Sequence, residues 1–257
     1  MITVVLLAKN EADNLSLVLP QLDWVDQMIV VDDNSTDETV TVSQQFGAKV
    51  IHRSLNGDFA TQRNYALSHI KSGWILFLDP DERLSDKLVE NIKTIVRDKK
   101  TNKEDWGYKI KREDVFFGKR LGYGETKDIW LTRLGKVGSG VFTGKVHETW
   151  NIGKVKKLQG TIEHYSHNSV SQLFKVVREY AYIRAQELYN QGNYWNIFEQ
   201  LTYPVGKFEF TFFWKLGFLD GWRGLLMSSA LAWHSFLVRW YLWDLPWVKR
   251  TWVNILA

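Results

Sequence analysis

The chain has 257 residues, of which 45% are hydrophobic and 24% charged, and its net charge is +4. That length fits one large domain or a domain with an appendage, and the composition excludes a disordered chain. With no cysteine there is no disulfide framework, thiolate metal site or cysteine nucleophile, and so small a positive charge is no argument for a nucleic-acid partner.

Residues 2–7 form a continuous apolar, β-branched run, the pattern of a strand buried on both faces. The run has no basic segment before it and no small-residue cleavage site after it, so it reads as a strand and not as a signal peptide. Residues 10–22 place Leu15, Val18, Leu19 and Leu22 at helical spacing. A second strand is expected at 28–31, a helix starting at Ser35-Thr36-Asp37-Glu38, a third strand at 49–51 and a helix at 59–70. A fourth strand at 74–78 and a helix at 86–98 complete the series. Such alternation predicts an α/β fold: a Rossmann-like, mostly parallel sheet flanked by helices.

From 106 to 165 the pattern changes to short β-like pieces at 107–111, 129–134 and 154–158, separated by glycines. Between positions 109 and 157 there are twelve Lys or Arg against five Asp or Glu, so the basic charge is local. Lys109, Lys111, Arg112 and Arg133 are candidates to face a diphosphate or an anionic acceptor. The rest of that charge suits a solvated or membrane-facing surface. Residues 169–191 read as an amphipathic helix through Leu173, Val176, Val177, Tyr180 and Ile183.

Of 13 tryptophans, eight lie between Trp195 and Trp252. No run of 18 apolar residues exists there, so a spanning helix is not expected. Aromatics interleaved with Lys207, Lys215, Arg223, Arg239, Lys249 and Arg250 suit the interface of an anionic membrane, with a bend at Asp220-Gly221 between two helices lying in the surface. Dimerisation through the same surface, giving a homo-oligomer, is the alternative. The expected division is a catalytic domain at 1–168, with halves 1–100 and 101–168, and a helical, aromatic, membrane-associating region at 169–257.

Polar sequences follow three of the strands: Lys9-Asn10-Glu11, Asp32-Asp33-Asn34-Ser35 and Asp79-Pro80-Asp81-Glu82. In open α/β sheets ligands bind outside the carboxyl ends of the strands. Two carboxylates one residue apart can share a hard divalent cation, which in turn can hold a diphosphate; the ordinary reading is an acidic turn capping the next helix. The first loop has no glycine, so it is neither a dinucleotide fingerprint nor a P-loop.

In order and spacing, Leu7-Ala8-Lys9-Asn10-Glu11, Val31-Asp32-Asp33-Asn34-Ser35-Thr36-Asp37, Ala60-Thr61-Gln62-Arg63-Asn64 and Phe77-Leu78-Asp79-Pro80-Asp81-Glu82 resemble family 2 glycosyltransferases of the GT-A fold. The likeness covers about residues 1–165 and is strongest to the bacterial branch that builds lipopolysaccharide core and related surface glycans. It implies a UDP-sugar donor, a Mg²⁺ or Mn²⁺ ion, and inverting transfer to a lipid-linked or lipopolysaccharide-core acceptor at the cytoplasmic face of the inner membrane. By the same resemblance Ala8, Asn10, Glu11 and Asp33 would line the uracil and ribose, and Arg63 would contact the nucleotide. Asp79 would lie near ribose and metal, Asp81 would ligate the metal, and His164 would complete its site. Phe142-Thr143-Gly144-Lys145-Val146-His147-Glu148 resembles a Gly-x-x-His-Glu segment of this branch, with Glu148 or His147 as the general base. Two other classes compete: a sugar-phosphate nucleotidyltransferase, which would normally show a glycine-rich phosphate loop after the first strand, and a non-catalytic nucleotide-sugar or lipid-binding module.

Overall fold

The computed structural model describes residues 1–98, 106–144, 148–167 and 169–255. They form two compact units, one of residues 1–113 and 128–164, the other of residues 114–127 and 165–257.

The first unit opens with β1 (Ile2–Ala8), α1 (Ala12–Val18), β2 (Gln27–Asp32), α2 (Thr39–Gln45), β3 (Lys49–His52), α3 (Phe59–Ser68), β4 (Trp74–Leu78), β5 (Glu82–Leu84) and α4 (Asp86–Arg97). It goes on through β6 (Gly107–Phe116), which with β7 (Lys119–Arg120) leads into the second unit. The chain returns at β8 (Ile129–Lys136), then β9 (Gly140–Thr143), β10 (Thr149–Ile152) and β11 (Val155–His167). β1 lies parallel to β2 and β4, and β2 to β3. Beyond β4 the sheet continues through antiparallel β8, then β6, β11 and β5.

Successive residues of a strand face opposite sides of its sheet, and β1 shows this directly. Ile2, Val4, Leu6 and Ala8 join a core with Leu15 and Val18 of α1 and Leu88 and Ile92 of α4. Val5 and Leu7 join the opposite core with Ala60 and Ala66 of α3, Phe77, Phe142 and Trp150. Both faces are covered, which is why β1 reads as an unbroken apolar run.

At Gly160 in β11 the strand passes so close to α4 that an added Cβ would sit 2.6 Å from Leu88 Cα, with φ at +99°. Gly160→Ala therefore combines a left-handed backbone with a backbone clash. Chemical denaturation should show a loss of about 1–3 kcal/mol or more.

Several element boundaries differ from expectation: β6 runs on to Phe116 and β11 to His167, well past the short pieces expected at 107–111 and 154–158. α2 begins at Thr39 and not at Ser35, because the side chains of Ser35 and Asp37 and the backbone of Thr36 are spent on the turn after β1. The expected helix at 10–22 is α1 followed by a 3₁₀ turn over Leu19–Leu22 with Pro20 in its first turn.

The second unit contains α5 (Val170–Asn190), α6 (Ile197–Glu209), a π turn over Phe210–Trp214, a 3₁₀ turn over Gly217–Asp220 and α7 (Trp222–Ile255). Leu173, Val177, Ala181 and Ala185 of α5 pack on Ala230, Leu237, Val238, Leu242 and Leu245 of α7, together with Phe116 and Leu121. Asp220 fixes the bend ahead of α7 by accepting bonds from the backbone N–H of Gly122 (3.1 Å) and Tyr123 (2.9 Å). Arg223 donates to the carbonyls of Phe116 and Phe117. α6 is inverted: Gln200 is buried, while Phe198 is 73% and Leu201 65% exposed. Among the described residues no helix is long and apolar enough to cross a membrane.

Candidate active site

The first two strand-end turns are locked to each other. Asn10 and Asn34 both adopt left-handed φ, 55° and 54°. Asparagine tolerates that region better than any residue but glycine, so tight turns form here without the glycines of a phosphate loop. Asn10 N–H donates to Ser35 Oγ (3.0 Å), Thr36 N–H to Asn10 Oδ1 (2.8 Å) and Glu11 N–H to Thr39 Oγ1 (2.8 Å). Ala12 N–H donates to Asp37 at the start of α1. Burial works against the Asp37 carboxylate, but its bonds from Thr39 and Ala12 win and lower its pKa.

Asp33 N–H donates to the Ala8 carbonyl (2.9 Å), which places both at the same strand ends. The Asp33 carboxylate takes Leu55 N–H through Oδ1 (2.8 Å) and Lys9 Nζ through Oδ2 (3.1 Å). Asp32 accepts from Ser35 N–H and faces His52 Nδ1 at 3.1 Å. Ala8, Asn10, Glu11 and Asp33 are thus held within one pair of turns.

At the third turn buried arginines dominate. Asp79 Oδ1 accepts from Arg63 Nη2 (3.0 Å), and its Oδ2 accepts from Arg133 Nη2 (2.6 Å). Arg133 Nη2 also reaches Glu82 Oε1 (2.9 Å), and Glu82 Oε2 accepts from Asp79 N–H (2.9 Å). Burial acts to raise the Asp79 carboxyl, but the guanidinium groups of Arg133 and Arg63 outweigh it and hold it well below the usual carboxylate range. For Glu82, fully buried, desolvation wins over Arg133 and the pKa rises. Arg133 was expected to face a diphosphate or acceptor; instead it is buried against these two acids.

Arg63 is the hub. Its Nε donates to Glu148 Oε1 (2.7 Å), and its guanidinium lies over the rings of Phe77 and Phe142. The neighbouring side chains explain the pattern of the α3 segment. Gln62 donates to the Arg53 carbonyl. Asn64 exchanges two bonds with the Phe142 backbone, 2.9 and 2.8 Å, and so docks the β9–β10 hairpin on α3. That docking brings Glu148, the residue before β10 at the turn end of the hairpin, onto Arg63. His147 lies outside the described residues.

Asp81 and His164 meet because of strand register. β5 pairs antiparallel with β11, His164 opposite Glu82, which sets the imidazole beside the residue before Glu82. His164 Nε2 lies 3.3 Å from Asp81 Oδ2, with both side chains partly exposed. Glu11 faces the same region: burial, opposed by a bond from Asn14, and then the charges of Asp81, Asp37 and Asp79 raise its carboxyl. Carboxylates that repel one another beside an imidazole are a donor set that fits a hard divalent cation. Among the described residues no three His, Cys, Asp or Glu side chains form a cage. A small hard ion bound through one or two protein ligands takes the rest from water and phosphate oxygens.

The residues that sequence reasoning missed are Glu82 and the structural part of Arg133. Glu82 looked like the last acid of a turn; only its pairing in β5 shows it buried.

The sequence profile of glycosyl transferase family 2 matches residues 3–143. An uncharacterized glycosyltransferase of Rickettsia typhi is 28% identical over 248 residues, covering 92% of this chain and 84% of that protein. The lipopolysaccharide core biosynthesis glycosyltransferase LpsC of Rhizobium meliloti is 23% identical over 249 residues, covering 89% of this chain and 86% of LpsC. Among solved structures, S. aureus TarS 1–349 in complex with UDP gives a TM-score of 0.48 at 16% identity, over 70% of this chain and 64% of that one. The profile spans more than half of the chain and takes in all three strand-end acid clusters, and on that ground the chain belongs to glycosyl transferase family 2.

Proposed function

We propose that this glycosyltransferase moves a sugar, with inversion, from a UDP-sugar to a lipid-linked or lipopolysaccharide-core acceptor at the cytoplasmic face of the inner membrane. One observation carries the reading. The Asp81–His164 pair and the Arg63–Glu148 pair are joined through the Asp79–Pro80–Asp81 turn, so an Asp–His pair of the kind that suits a cation and a held carboxylate flank one turn after β4.

In this reading Ala8, Asn10, Glu11 and Asp33 line the nucleoside, and Asp79, fixed by two arginines, lies next to the ribose and diphosphate. Asp81 and His164 hold Mg²⁺ or Mn²⁺, which supplies charge neutralisation for the departing diphosphate. Glu148 takes the proton of the acceptor hydroxyl as its oxygen attacks the anomeric carbon. The new C–O bond forms as the bond to the diphosphate breaks, with its electron pair leaving on UDP. His147 is the other candidate for this role. The likeness to LpsC supports a lipopolysaccharide-type acceptor. Release of UDP from a panel of UDP-sugars, with lipid extracts as acceptor and nucleoside triphosphates as control, tests the reading. Pyrophosphate release from a nucleoside triphosphate in place of UDP release overturns it in favour of a nucleotidyltransferase.

The surface of the second unit supports the membrane part. Phe198, Leu201, Val205, Phe213, Trp214 and Trp222 are all more than half exposed. An open apolar cleft of about 540 Å³ runs between α6 and α7, lined by Pro204, Val205, Phe208, Phe213, Trp233 and Phe236. Apolar exposure on this scale marks an interaction surface. Burial of this area contributes roughly 25 cal/mol per Å², which salt does not screen. The full chain should therefore pellet with anionic vesicles after a high-salt wash and come off in detergent. Phe198→Glu with Trp214→Glu, both on the exposed face, should leave it in the supernatant with its fold intact. A parent chain wholly in the supernatant would overturn the membrane part, and one found there as a dimer would assign the surface to self-association.

A further inference from the structure

The second unit also holds a polar cavity to which the transfer reading gives no role. It lies between α5, α6 and α7, measures about 670 Å³, and is lined by the charged Arg184, Lys207, Arg239 and Glu125 and by His234. Lys207 is neutralised in place, since its Nζ donates to both oxygens of Glu125 at 2.7 Å. Arg184 is half exposed and shares Nη1 with Glu187 at 2.9 Å.

Arg239 is different. Its side chain is only 13% exposed, and the acid it faces, Glu199, stays 3.9 Å away, beyond hydrogen-bond range. Its guanidinium lies 3.9 Å over the Tyr203 ring, and its Nη1 makes only long bonds to Ser235, 3.4 Å to the carbonyl and 3.5 Å to the hydroxyl. Its buried Nε has no hydrogen-bond partner among the described residues. Burial lowers its pKa, outweighing the opposite charge of Glu199 and a further side-chain hydrogen bond with Tyr203; a guanidinium this incompletely bonded is costly to bury. Burial, then the charge of Lys207, then those of Arg239 and Arg184, push the His234 imidazole below its ordinary pKa, against a hydrogen bond to the Tyr180 backbone.

We infer that this cavity is a second ligand site, binding a phosphate-bearing anion whose oxygens complete the bonds of Arg239 with Arg184 at the rim. A planar guanidinium matches two phosphate oxygens at once. The cavity is much larger than one phosphate group, so it also has room for the group that carries the phosphate. The shared chemistry is a phosphate with at least one negative charge, supplied either as a phospholipid headgroup or as free phosphate.

Calorimetric titration of the full chain tests this with two probes, inorganic phosphate and monomeric dihexanoyl phosphatidic acid. At least one should bind, and Arg239→Gln should weaken it about tenfold or more, the loss of one charge-assisted bond. Arg184→Gln, half exposed and safe for the fold, should weaken the same probe and carries the test should Arg239→Gln melt early. Preference for the ester identifies a lipid headgroup as the source, and equal binding identifies free phosphate; both support the site. Absence of binding by the parent chain, or parental affinity in both variants, overturns it. The result is separable from sugar transfer, because Asp81→Ala should leave this binding unchanged.

Discussion

Asp81→Ala should abolish sugar transfer and metal-dependent UDP binding, yet melt close to the parent temperature. The expectation rests on the contrast between two acids one residue apart. Asp81 is 28% exposed and pairs with His164 at 3.3 Å, so truncating it removes one partly solvated pair. Pairs of that kind contribute about 0–1 kcal/mol. Asp79 is the counter-ion of two guanidinium groups whose side chains are only 5% and 8% exposed. Among the described residues, Asp79→Ala leaves Arg63 with Glu148 alone and Arg133 with Glu82 alone, and breaking such a network costs up to about 3–5 kcal/mol. Both variants lose activity, but only Asp79→Ala should lose it together with stability. The pH dependence has a definite sign. Arg133 and Arg63 hold the Asp79 carboxyl below its usual range, so its contribution is complete at neutral pH. It begins to be lost only as the pH falls below about 3.9, where the unfolded chain starts to take up the proton. Transfer in EDTA equal to that in Mn²⁺ would remove the metal role from Asp81. A melting loss in Asp81→Ala as large as in Asp79→Ala would show that the two acids act as one structural unit.

The part of this site legible in the sequence is the part written in short range. Strand runs such as 2–7 and 74–78 are apolar on both faces, so their ends are sharp, and the acids after them have no core to join. Their convergence then follows from parallel pairing alone. Glu82, Arg133 and the Arg63–Glu148 pair follow from long-range pairing instead. Nothing near Glu82 tells that it faces β11, and nothing near Arg133 tells that β8 lies beside β4. In the second unit the helix before the aromatic tail was not read from sequence at all. α6 carries Pro204 and Gly206 in its interior, and its apolar residues face outward, so it breaks the rule by which buried helices are read. The bend at Asp220-Gly221 was legible as a turn. Its anchor on Gly122 and Tyr123, almost a hundred residues earlier in the chain, was not.

Glu148→Gln should lower kcat by roughly 10²- to 10⁴-fold while donor binding changes little. The amide keeps the size of the side chain and an oxygen that accepts from Arg63 Nε, which now holds Glu148 Oε1 at 2.7 Å. Its place beside the β9–β10 hairpin is therefore kept, and only its ability to take a proton is lost. Arg63 itself is the informative comparison. One guanidinium holds Glu148 through Nε and Asp79 through Nη2 and lies over the contacting rings of Phe77 and Phe142. Arg63→Lys keeps the charge but has one nitrogen for two acids set by a rigid fork. It should lower kcat and stability together, whereas Glu148→Gln lowers kcat alone. Steady-state rates with urea denaturation of both variants separate the two effects. Turnover near the parent value in Glu148→Gln would assign proton removal to His147 and leave Glu148 as the residue that orients Arg63.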